Sequence, residues 1–372
     1  MDTVYRIDDP SEVISPGLVV FRDLVAANID AMIRMAGDPA RLRPHCKTHK
    51  MREVTRMQLD RGITKHKAAT FAEAEMLAES GVKDVFLAYN LVGPNIERAV
   101  RFRQAYPEVA FAVTADDAVS LRLLAEAMQA AGTSVDVLLD VDPGRNRTGL
   151  PVGDAARDLY RLIADTPGVE PGGFHIYDGH LGISDVEERR QGVLEEWNRI
   201  LPFRDRLVAE GLPVPRLVCG GTPTFPVYAE LTEPTMELSP GTCVFPDCGY
   251  GEKFPDLEPF RPAALVLTRV ISRPTANRVT FDVGTKGVAS DPPMGSRVLL
   301  PEIPDAEQVL QNEEHLVVET AQADKWSPGD VTLAIPRHIC PTSALHKHAW
   351  VVADGEIIGT WEVASRDRWL TI

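Results

Sequence analysis

The chain alternates short apolar runs with longer amphipathic segments, and this alternation limits its fold more than any other feature. Eight such runs are LVVF (18–21), LRPHC (42–46), KHKAA (65–69), VFLAY (85–89), AFAVT (110–114), VDVLLDVD (135–142), GGFHIYD (172–178) and RLVCGG (216–221). Segments with helical patterning lie between them, such as 23–36, 71–80 and 117–131. Eight strand–helix repeats predict an α/β fold, a parallel (β/α)8 barrel of the TIM type. A doubly wound open sheet would alternate in the same way, so the count of eight favours the barrel.

The pattern changes after about residue 255. Strand-like runs follow, broken by Gly, Pro and Asp: VLTRVISRP, RVTFDVGTK, LVVET, DVTLAIP, AWVVADGEIIGTWEV and RWL (368–370). ADGE (353–356) between two apolar runs predicts a hairpin turn. We therefore predict a barrel at residues 18–255 and an all-β domain at residues 256–372. Residues 1–17 are predicted to join the β domain, with VYRIDD (4–9) as an edge strand.

Composition excludes several classes of protein. A net charge of −15 argues against a nucleic-acid-binding protein, because neutralising phosphates requires a basic face. Neither a membrane-spanning apolar stretch nor a signal peptide is visible in the sequence. Five scattered cysteines in so long a chain suit a reducing compartment. The expectation is a soluble cytoplasmic enzyme that acts on a small molecule, with no nucleic-acid or membrane partner.

Lys47 is the candidate nucleophile. Barrel active sites form at the carboxyl ends of the strands, and Lys47 follows the second apolar run in RPHCKTHK. If the strand continues, His45, Lys47 and His49 point the same way. Neighbouring cations would then favour the neutral, nucleophilic amine. A solvated basic turn is the alternative interpretation of such a stretch.

Two glycine turns are candidates for phosphate binding, because glycine lets backbone N–H groups approach an anion closely. CGGTPTF (219–225) contributes Gly220, Gly221 and Thr222, and LSPGTCVFPD (238–247) contributes Gly241 and Thr242. Ordinary strand–helix turns would have the same composition, and two such turns in succession favour the phosphate interpretation.

Further polar residues follow the sixth and seventh runs. Arg145 and Arg147 lie in the turn DVDPGRNRTG (140–149), where a guanidinium can bind an anionic oxygen in a forked geometry. Tyr177 and His180 follow the next run in HIYDGH (175–180). Solvated surface turns remain the alternative for each of these residues.

RHICPT (337–342) is the candidate metal site. On an extended strand His338 and Cys340 share a face, so that both could reach one ion, and sulfur beside imidazole favours zinc. A structural pair without a metal has the same spacing. His346 and His348 are spare candidates.

Taken together, these segments resemble the D-threonine aldolase / D-serine dehydratase family of fold-type III pyridoxal 5′-phosphate (PLP) enzymes, which have an alanine-racemase-like barrel and a β domain. The resemblance extends over nearly the whole chain. It rests on SPGLVVFRD (15–23), RPHCKTHK (43–50), DVDPGRNRTG, CGGTPTF, ELSPGTCVFPD (237–247), DVGTKGVASD (282–291), NEEHL (312–316) and HICPT (338–342), in the family's order.

The resemblance implies roles for the candidate residues. Lys47 matches the lysine that binds PLP covalently, Arg147 the arginine near its ring, and His180 the histidine base of the aldolases. Tyr177 matches a residue of the polar cluster on the substrate side. The glycine turns (Gly220, Gly221, Thr222, Gly241 and Thr242) match the phosphate loops, and His338 and Cys340 match the metal pair. A homodimer is implied as well.

The reaction implied is a lyase reaction on D-3-hydroxy amino acids, with PLP and a divalent metal (zinc or manganese). HIYDGH resembles the aldolases and indicates retro-aldol cleavage to glycine and an aldehyde. The His-x-Cys pair resembles the dehydratases, which give an oxo acid and ammonia. A racemase is disfavoured because it needs a second base at Cα and no metal, and a non-catalytic PLP carrier is disfavoured because such proteins lack the β domain.

Overall fold

A computed structural model describes residues 3–368 and residue 372, which form two compact units. The barrel unit comprises Met32–Lys47, Thr55–Gly241 and the described part of Arg368–Ile372. The β unit comprises the described part of Met1–Ala31, together with Thr48–Val54 and Thr242–Asp367. Strands and helices are numbered in chain order.

The first strand, β1 (Gly17–Phe21), belongs to the β unit. It pairs antiparallel with residues 264–267 and parallel with residues 350–352. The prediction that LVVF opens the barrel is therefore wrong. All five residues of β1 are buried, so its apolar run indicates a central strand without indicating the sheet to which the strand belongs.

The barrel unit contains seven parallel strands, each beside its neighbour in sequence. They are β2 (Lys65–Ala68), β3 (Asp84–Asn90), β4 (Ala110–Ala115), β5 (Val135–Val141), β6 (Val169–Ile176), β7 (Leu217–Cys219) and β8 (Met236–Leu238). The extended segment 42–45 occupies the eighth position, because Leu42 bridges Leu238 of β8 and His45 bridges Lys67 of β2. The predicted count of eight is thus correct, although β8 takes the place assigned to LVVF. The three residues of β8 have Glu237 at their centre, so they do not form an apolar run like that of β7, which has the same length and was predicted.

Helices connect the strands of the barrel, and three of them begin at a polar side-chain cap. Eight precede residue 242 in the described chain: α1 (Arg22–Ala36), α2 (Arg52–Leu59), α3 (Phe71–Glu79), α4 (Pro94–Ala105), α5 (Ala118–Ala130), α6 (Asp154–Asp165), α7 (Val186–Ala209) and α8 (Phe225–Ala229). The side chains of Thr70, Asp117 and Asp185 accept hydrogen bonds from backbone N–H groups of the first turns of α3, α5 and α7. Such caps set where each helix begins.

A buried ion cluster joins the segment at 42–45 to strands on either side. The guanidinium of Arg43, which is fully buried, contacts Asp84 at 2.8 Å and Glu237 at 2.5 Å. Lys65 donates to the other oxygen of Glu237 at 2.9 Å. Burial opposes the charge of Arg43, but the two carboxylates outweigh it and raise its pKa. The cluster connects β2, β3 and β8 with the segment that closes the barrel.

The β unit is built on one sheet around β1. Its strands are β9 (Ala264–Thr275), β10 (Arg278–Phe281), β11 (Val298–Leu299), β12 (Glu307–Gln311), β13 (Leu316–Glu319), β14 (Val331–Pro336), β15 (His348–Ala353) and β16 (Glu356–Glu362), with α9 (Cys248–Lys253) and α10 (Ile339–Leu345). The order is β12-β13-β10-β9-β1-β15-β16, and β14 also pairs with β9. This agrees with the predicted all-β character of the C-terminal part. The short β11 and the polar β12 escaped sequence analysis.

The ends of the β unit test three finer predictions. The hairpin at ADGE is confirmed, because Asp354 (φ 49°) and Gly355 (φ 86°) form a two-residue turn between β15 and β16. The edge strand at VYRIDD is wrong: Thr3–Tyr5 is a 3₁₀ helix, and Asp8 donates to the carbonyl of Gly355 outside any strand. Of the run RWL, residues 369 and 370 lie outside the described residues. Among those described, we find no helix with the length and apolar character to cross a membrane.

Candidate active site

Lys47 follows the closing segment of the barrel, but not on a continuing strand. Cys46–Thr48 is a 3₁₀ helix, and the N–H of Lys47 donates to Nδ1 of His45 at 3.2 Å. The expected alternation of His45, Lys47 and His49 on one face is therefore wrong. His49 belongs to the β unit, where burial lowers its pKa to about 3 and so keeps it neutral. Lys47 itself is half-buried.

Lys47, Arg147 and Tyr177 come together in the barrel unit. Nζ of Lys47 lies 5.9 Å from the centroid of the Tyr177 ring, and Cζ of Arg147 lies 4.8 Å from it. The two partners of Lys47 follow β5 and β6, so the three side chains meet at the carboxyl ends of parallel strands. The structure thus groups three residues that sequence analysis proposed one by one.

The turn that carries Arg147 is fixed by its own polar groups. The carboxylate of Asp142 accepts hydrogen bonds from the N–H groups of Gly144, at 3.0 Å, and Asn146, at 3.1 Å. A methyl group at Gly144 would lie 3.3 Å from Nε2 of His180, so the imidazole packs directly against this turn. Nδ1 of His180 is buried and has no hydrogen-bond partner among the described residues. It is therefore open to a proton or to a bound ligand.

The glycine turns after β7 and β8 meet at Thr222. Its Oγ1 accepts a hydrogen bond from the N–H of Gly241 at 3.1 Å. Gly220 has φ +71°, a backbone conformation that favours glycine. A methyl group at Gly221 would come within 3.1 Å of the Tyr177 ring, which fills the space a larger residue would need. The two turns and the aromatic face thus form a cradle that fits a phosphorylated aromatic cofactor whose aldehyde is bound by Lys47.

Four buried titratable residues lie inside the barrel unit: Lys67, Asp140, His175 and Asp178. Asp178 was expected at the mouth of the barrel, after the seventh run, and the other three escaped sequence analysis. Nδ1 of His175 and Oδ1 of Asp140 are 2.8 Å apart across neighbouring strands. Asp178 accepts from Oγ1 of Thr224 at 2.9 Å. Alternation along β2 is the signal that could have identified Lys67. Nε2 of His66 lies 3.1 Å from Oε1 of Gln58 on the outside of the barrel, so the side chain of the next residue, Lys67, points inward.

Burial shifts the pKa of each of these four groups. It lowers the pKa of Lys67 to about 7, with repulsion from Lys47 acting in the same direction. It lowers the pKa of His175 and raises that of Asp178 to about 6. Burial is the largest single effect on Asp140 and would raise its pKa, but the hydrogen bond and charge of His175, the hydrogen bond from Thr148 and the charge of Arg147 together lower it. Titratable groups perturbed in this way are typical of catalytic sites.

The candidate metal pair lies in the β unit at the start of a helix. β14 ends at Pro336 and α10 begins at Ile339, so His338 is the N-cap of α10 and the predicted extended geometry is wrong. Proximity holds nonetheless, because His338 and Cys340 are hydrogen-bonded to each other in the first turn. The carboxylate of Asp247 accepts from the N–H of Ile339 at 3.0 Å and holds this turn.

The surroundings of the pair suit a cation. His338 is hydrogen-bonded to Cys340 and, at 2.5 Å, to Asp291, and these two hydrogen bonds raise its pKa to about 9. The hydroxyls of Thr48 and Thr242 lie 3.2 and 3.8 Å from Sγ of Cys340. Thiolate, imidazole and hydroxyl oxygen fit a divalent metal such as zinc, which must displace a proton from the pair to bind. Thr242 thus lies beside the candidate metal pair in the β unit, which sequence analysis did not foresee.

Other potential ligands have structural roles or partners of their own. Nε2 of His346 lies 2.8 Å from the carbonyl oxygen of Gly287, which explains this spare histidine, and His348 is exposed at the start of β15. In the barrel unit, ligand atoms of His45, Cys46 and Glu73 lie within 4.8 Å of one another. There Glu73 already accepts hydrogen bonds from the N–H of Ala69 and the Cys46 thiol, as a purely structural carboxylate would.

Comparison with known proteins identifies the family of the chain. The model of the alanine racemase N-terminal domain matches residues 21–247, and that of the putative serine dehydratase domain matches residues 263–352. A D-threonine aldolase from Arthrobacter sp. is 30% identical over 371 residues, 98% of this chain and 94% of the relative. A D-threo-3-hydroxyaspartate dehydratase from Delftia sp. (strain HT23) is 28% identical over 250 residues, 66% of this chain and 63% of the relative.

The solved structures point the same way. The crystal structure of D-threonine aldolase from Filomicrobium marinum superposes with a TM-score of 0.87, at 26% identity and over 95% of this chain and 96% of that one. The predicted fold and the lyase class are confirmed by these matches, and the family they identify is one of PLP enzymes. The chain therefore belongs to the alanine racemase-fold family of PLP-dependent lyases that joins an alanine racemase N-terminal domain to a serine dehydratase domain.

Proposed function

We propose that this protein is a lyase that cleaves D-3-hydroxy amino acids into glycine and an aldehyde. The observation that carries the proposal is the grouping of Lys47 and Arg147 around Tyr177, beside the joined glycine turns. When bound, PLP supplies an electron sink for the amino acid, and the metal supplies a Lewis acid for its hydroxyl group. The named substrates of the relatives agree with this substrate class.

The residues of the barrel unit have separable roles. Lys47 supplies the amine that binds the aldehyde and is displaced by the amino group of the substrate. Arg147 keeps a positive charge beside the Tyr177 ring, where it can face a ring atom or an anionic oxygen of the cofactor. The joined turns at Thr222 and Gly241 orient the phosphate.

His180 is the proposed base for the hydroxyl proton. Its Nδ1 is buried without a partner among the described residues, so it can accept a proton without first breaking a bond within the chain. Removing the hydroxyl proton drives retro-aldol cleavage. If Lys47 instead removes the proton at Cα, the hydroxyl group leaves and the products are an oxo acid and ammonia.

Dehydration is the second candidate reaction, and the His338–Cys340 pair favours it because the dehydratases that the sequence resembles carry His-x-Cys. Product analysis with D-threonine separates the two reactions. Acetaldehyde and glycine are expected, whereas 2-oxobutyrate as the sole product would contradict the aldolase. D-serine and D-3-hydroxyaspartate extend the test to other side chains, and L-threonine is the matched control for configuration.

Variants connect the products to the site. His180→Asn should abolish acetaldehyde release while the protein still binds the cofactor, and His348→Asn is a matched control because His348 lies on an exposed strand end. Retention of full aldolase activity in His180→Asn would contradict the role of His180. Loss of activity on chelation, restored by zinc or manganese, is expected from the metal pair.

We further propose a homodimer in solution and a cytoplasmic location, both of which rest on the family resemblance. Sedimentation velocity of the full chain should give twice the mass of 40.8 kDa. A monomer that is fully active would contradict the dimer.

A further inference from the structure

Lys67 points into the interior of the barrel. Its strand neighbour in register is Phe86 of β3, whose ring lies 5.3 Å from that of His175 on β6. β3 and β6 are not neighbours in the sheet, so this contact crosses the barrel and places the row that contains Lys67 inside it. Only 3% of Lys67 is exposed.

Lys67 is also adjacent to the segment that carries Lys47. Its N–H donates to the carbonyl oxygen of Pro44 at 2.9 Å, and its Cα pairs with that of His45, two residues before Lys47. Repulsion between the two ammonium groups helps to disfavour the charged form of Lys67. The two lysines are thus neighbours inside one barrel.

The amine of Lys67 forms no ion pair with a carboxylate of the described residues. Within the described residues, Nζ makes neither a hydrogen bond nor an ion pair, and Asp140 is already bound to His175. Asp178 and Asp140 attract a charge on Nζ, but burial and Lys47 oppose it more strongly. Lys65, two residues earlier on the same strand, is bound to Glu237 at 2.9 Å and is the matched contrast.

We propose that Lys67 is a second carbonyl-reactive amine of the cofactor site, which condenses with an aldehyde bound in the barrel when the amine of Lys47 is removed. The chemistry is the same as at Lys47: the nitrogen lone pair attacks the aldehyde carbon, a C=N bond forms, and the oxygen leaves as water with both amine protons. This inference rests on the proposed function, because it assumes that the barrel holds the aldehyde of PLP.

The test locates the covalent adduct. The full-length protein and its Lys47→Ala variant are incubated with pyridoxal 5′-phosphate at pH 7.5, reduced with borohydride, and cleaved with a protease specific for glutamate. Tandem mass spectrometry then assigns the adduct to a single lysine. We expect the adduct on Lys47 in the unsubstituted protein and on Lys67 in Lys47→Ala. Adding Lys67→Met should remove it, and adding Lys65→Met should not.

The two proposals fail in different ways. An adduct on Lys47 in the unsubstituted protein, with none on Lys67 in Lys47→Ala, overturns this inference and leaves the proposed function intact. No adduct on either lysine overturns the use of PLP, and this inference with it. An adduct on Lys65 at the level found on Lys67 also overturns the inference, because it marks general reactivity of strand lysines.

A second measurement needs no substitution at Lys47. Reductive methylation of the unsubstituted protein with formaldehyde and cyanoborohydride at pH 7 reports which amines are neutral. We expect Lys67 to react at least about tenfold faster than Lys65, because only neutral amines react and an ordinary lysine is almost fully protonated at this pH. Equal rates would overturn the inference even if Lys47→Ala failed to fold.

Discussion

Replacing Lys67 with methionine should make the protein more stable at neutral pH. In the unfolded chain the amine has its ordinary pKa of 10.5, whereas burial and the charge of Lys47 lower it to about 7 in the folded protein. At about 1.4 kcal/mol for each pH unit, this difference costs about 5 kcal/mol of folding free energy at pH 7. Methionine has a similar length and no charge, so it avoids this cost.

The gain in folding free energy expected from Lys67→Met is smaller than the whole cost of burying the amine. A volume-conserving change in a packed interior usually costs up to about 1.5 kcal/mol, and Asp140 and Asp178 lose a neighbouring cation. We therefore expect the free energy of unfolding to rise by about 3 kcal/mol at pH 7.

The pH dependence distinguishes this explanation from better packing. Between pH 7 and pH 10.5 the unfolded chain holds a proton on Lys67 that the folded protein does not hold, so the stability of the unsubstituted protein rises with pH. Lys67→Met lacks this contribution, and the gap between the two proteins should close towards pH 10.5. Groups that both proteins share cancel in the difference.

Urea unfolding at pH 7, 8, 9 and 10, at equal cofactor content, measures the gap. Lys65→Met is the control, since it removes an ion pair with Glu237 and should give no gain at pH 7. A gap that stays constant with pH would refute the electrostatic reasoning. So would a Lys67→Met protein that is less stable than the unsubstituted one at pH 7.

Three further predictions test the fold and the metal pair. Arg43→Met should lower the free energy of unfolding by about 3 to 5 kcal/mol in denaturant titrations, because it leaves two carboxylates without their buried cation. Cys340→Ala should lose tight zinc binding in calorimetry, whereas Cys340→Asp should keep binding with weaker preference for zinc over manganese. Gly173→Ala should lower the melting temperature far more than Gly211→Ala. Both glycines have positive φ, but of the two only Gly173 has a backbone carbonyl, that of Arg216, where the added methyl group would lie.

The sequence predicted the architecture better than the membership of its sheets. Runs such as VDVLLDVD became β5, and the count of eight barrel positions was correct. LVVF and LRPHC were both predicted to be barrel strands, but one lies in the β unit and the other closes the barrel. Pairing with other parts of the chain decides this: β1 pairs with residues 264–267 and 350–352, whereas Leu42 bridges Leu238 and His45 bridges Lys67. Neither run carries a local signal of its partner. A short apolar run can therefore be recognised as a strand from the sequence, but the sheet to which that strand belongs cannot.

The candidate metal pair was predicted from an incorrect local geometry. His338 and Cys340 were expected to share a face of an extended strand, but the chain turns into α10 after β14. His338 is the N-cap of α10 and has extended backbone, so its side chain can fold back over the first turn, where Cys340 is the second helical residue. The spacing His-x-Cys thus lets both side chains bind one metal ion on a strand or at the start of a helix. Spacing alone does not show which of the two elements carries the pair.

Two lysines in KHK show why the chemistry of a barrel residue cannot be inferred from its own strand. Lys65 and Lys67 share a face of β2 and differ by one layer of the barrel interior. At Lys65 the neighbouring layer supplies Glu237 from β8, which forms an ion pair with the amine at 2.9 Å. At Lys67 the carboxylate of Asp140 is already hydrogen-bonded to His175, and burial lowers the pKa of the amine to about 7. The reactive lysine is therefore created by the closure of the barrel, which brings strands from distant parts of the chain into one layer.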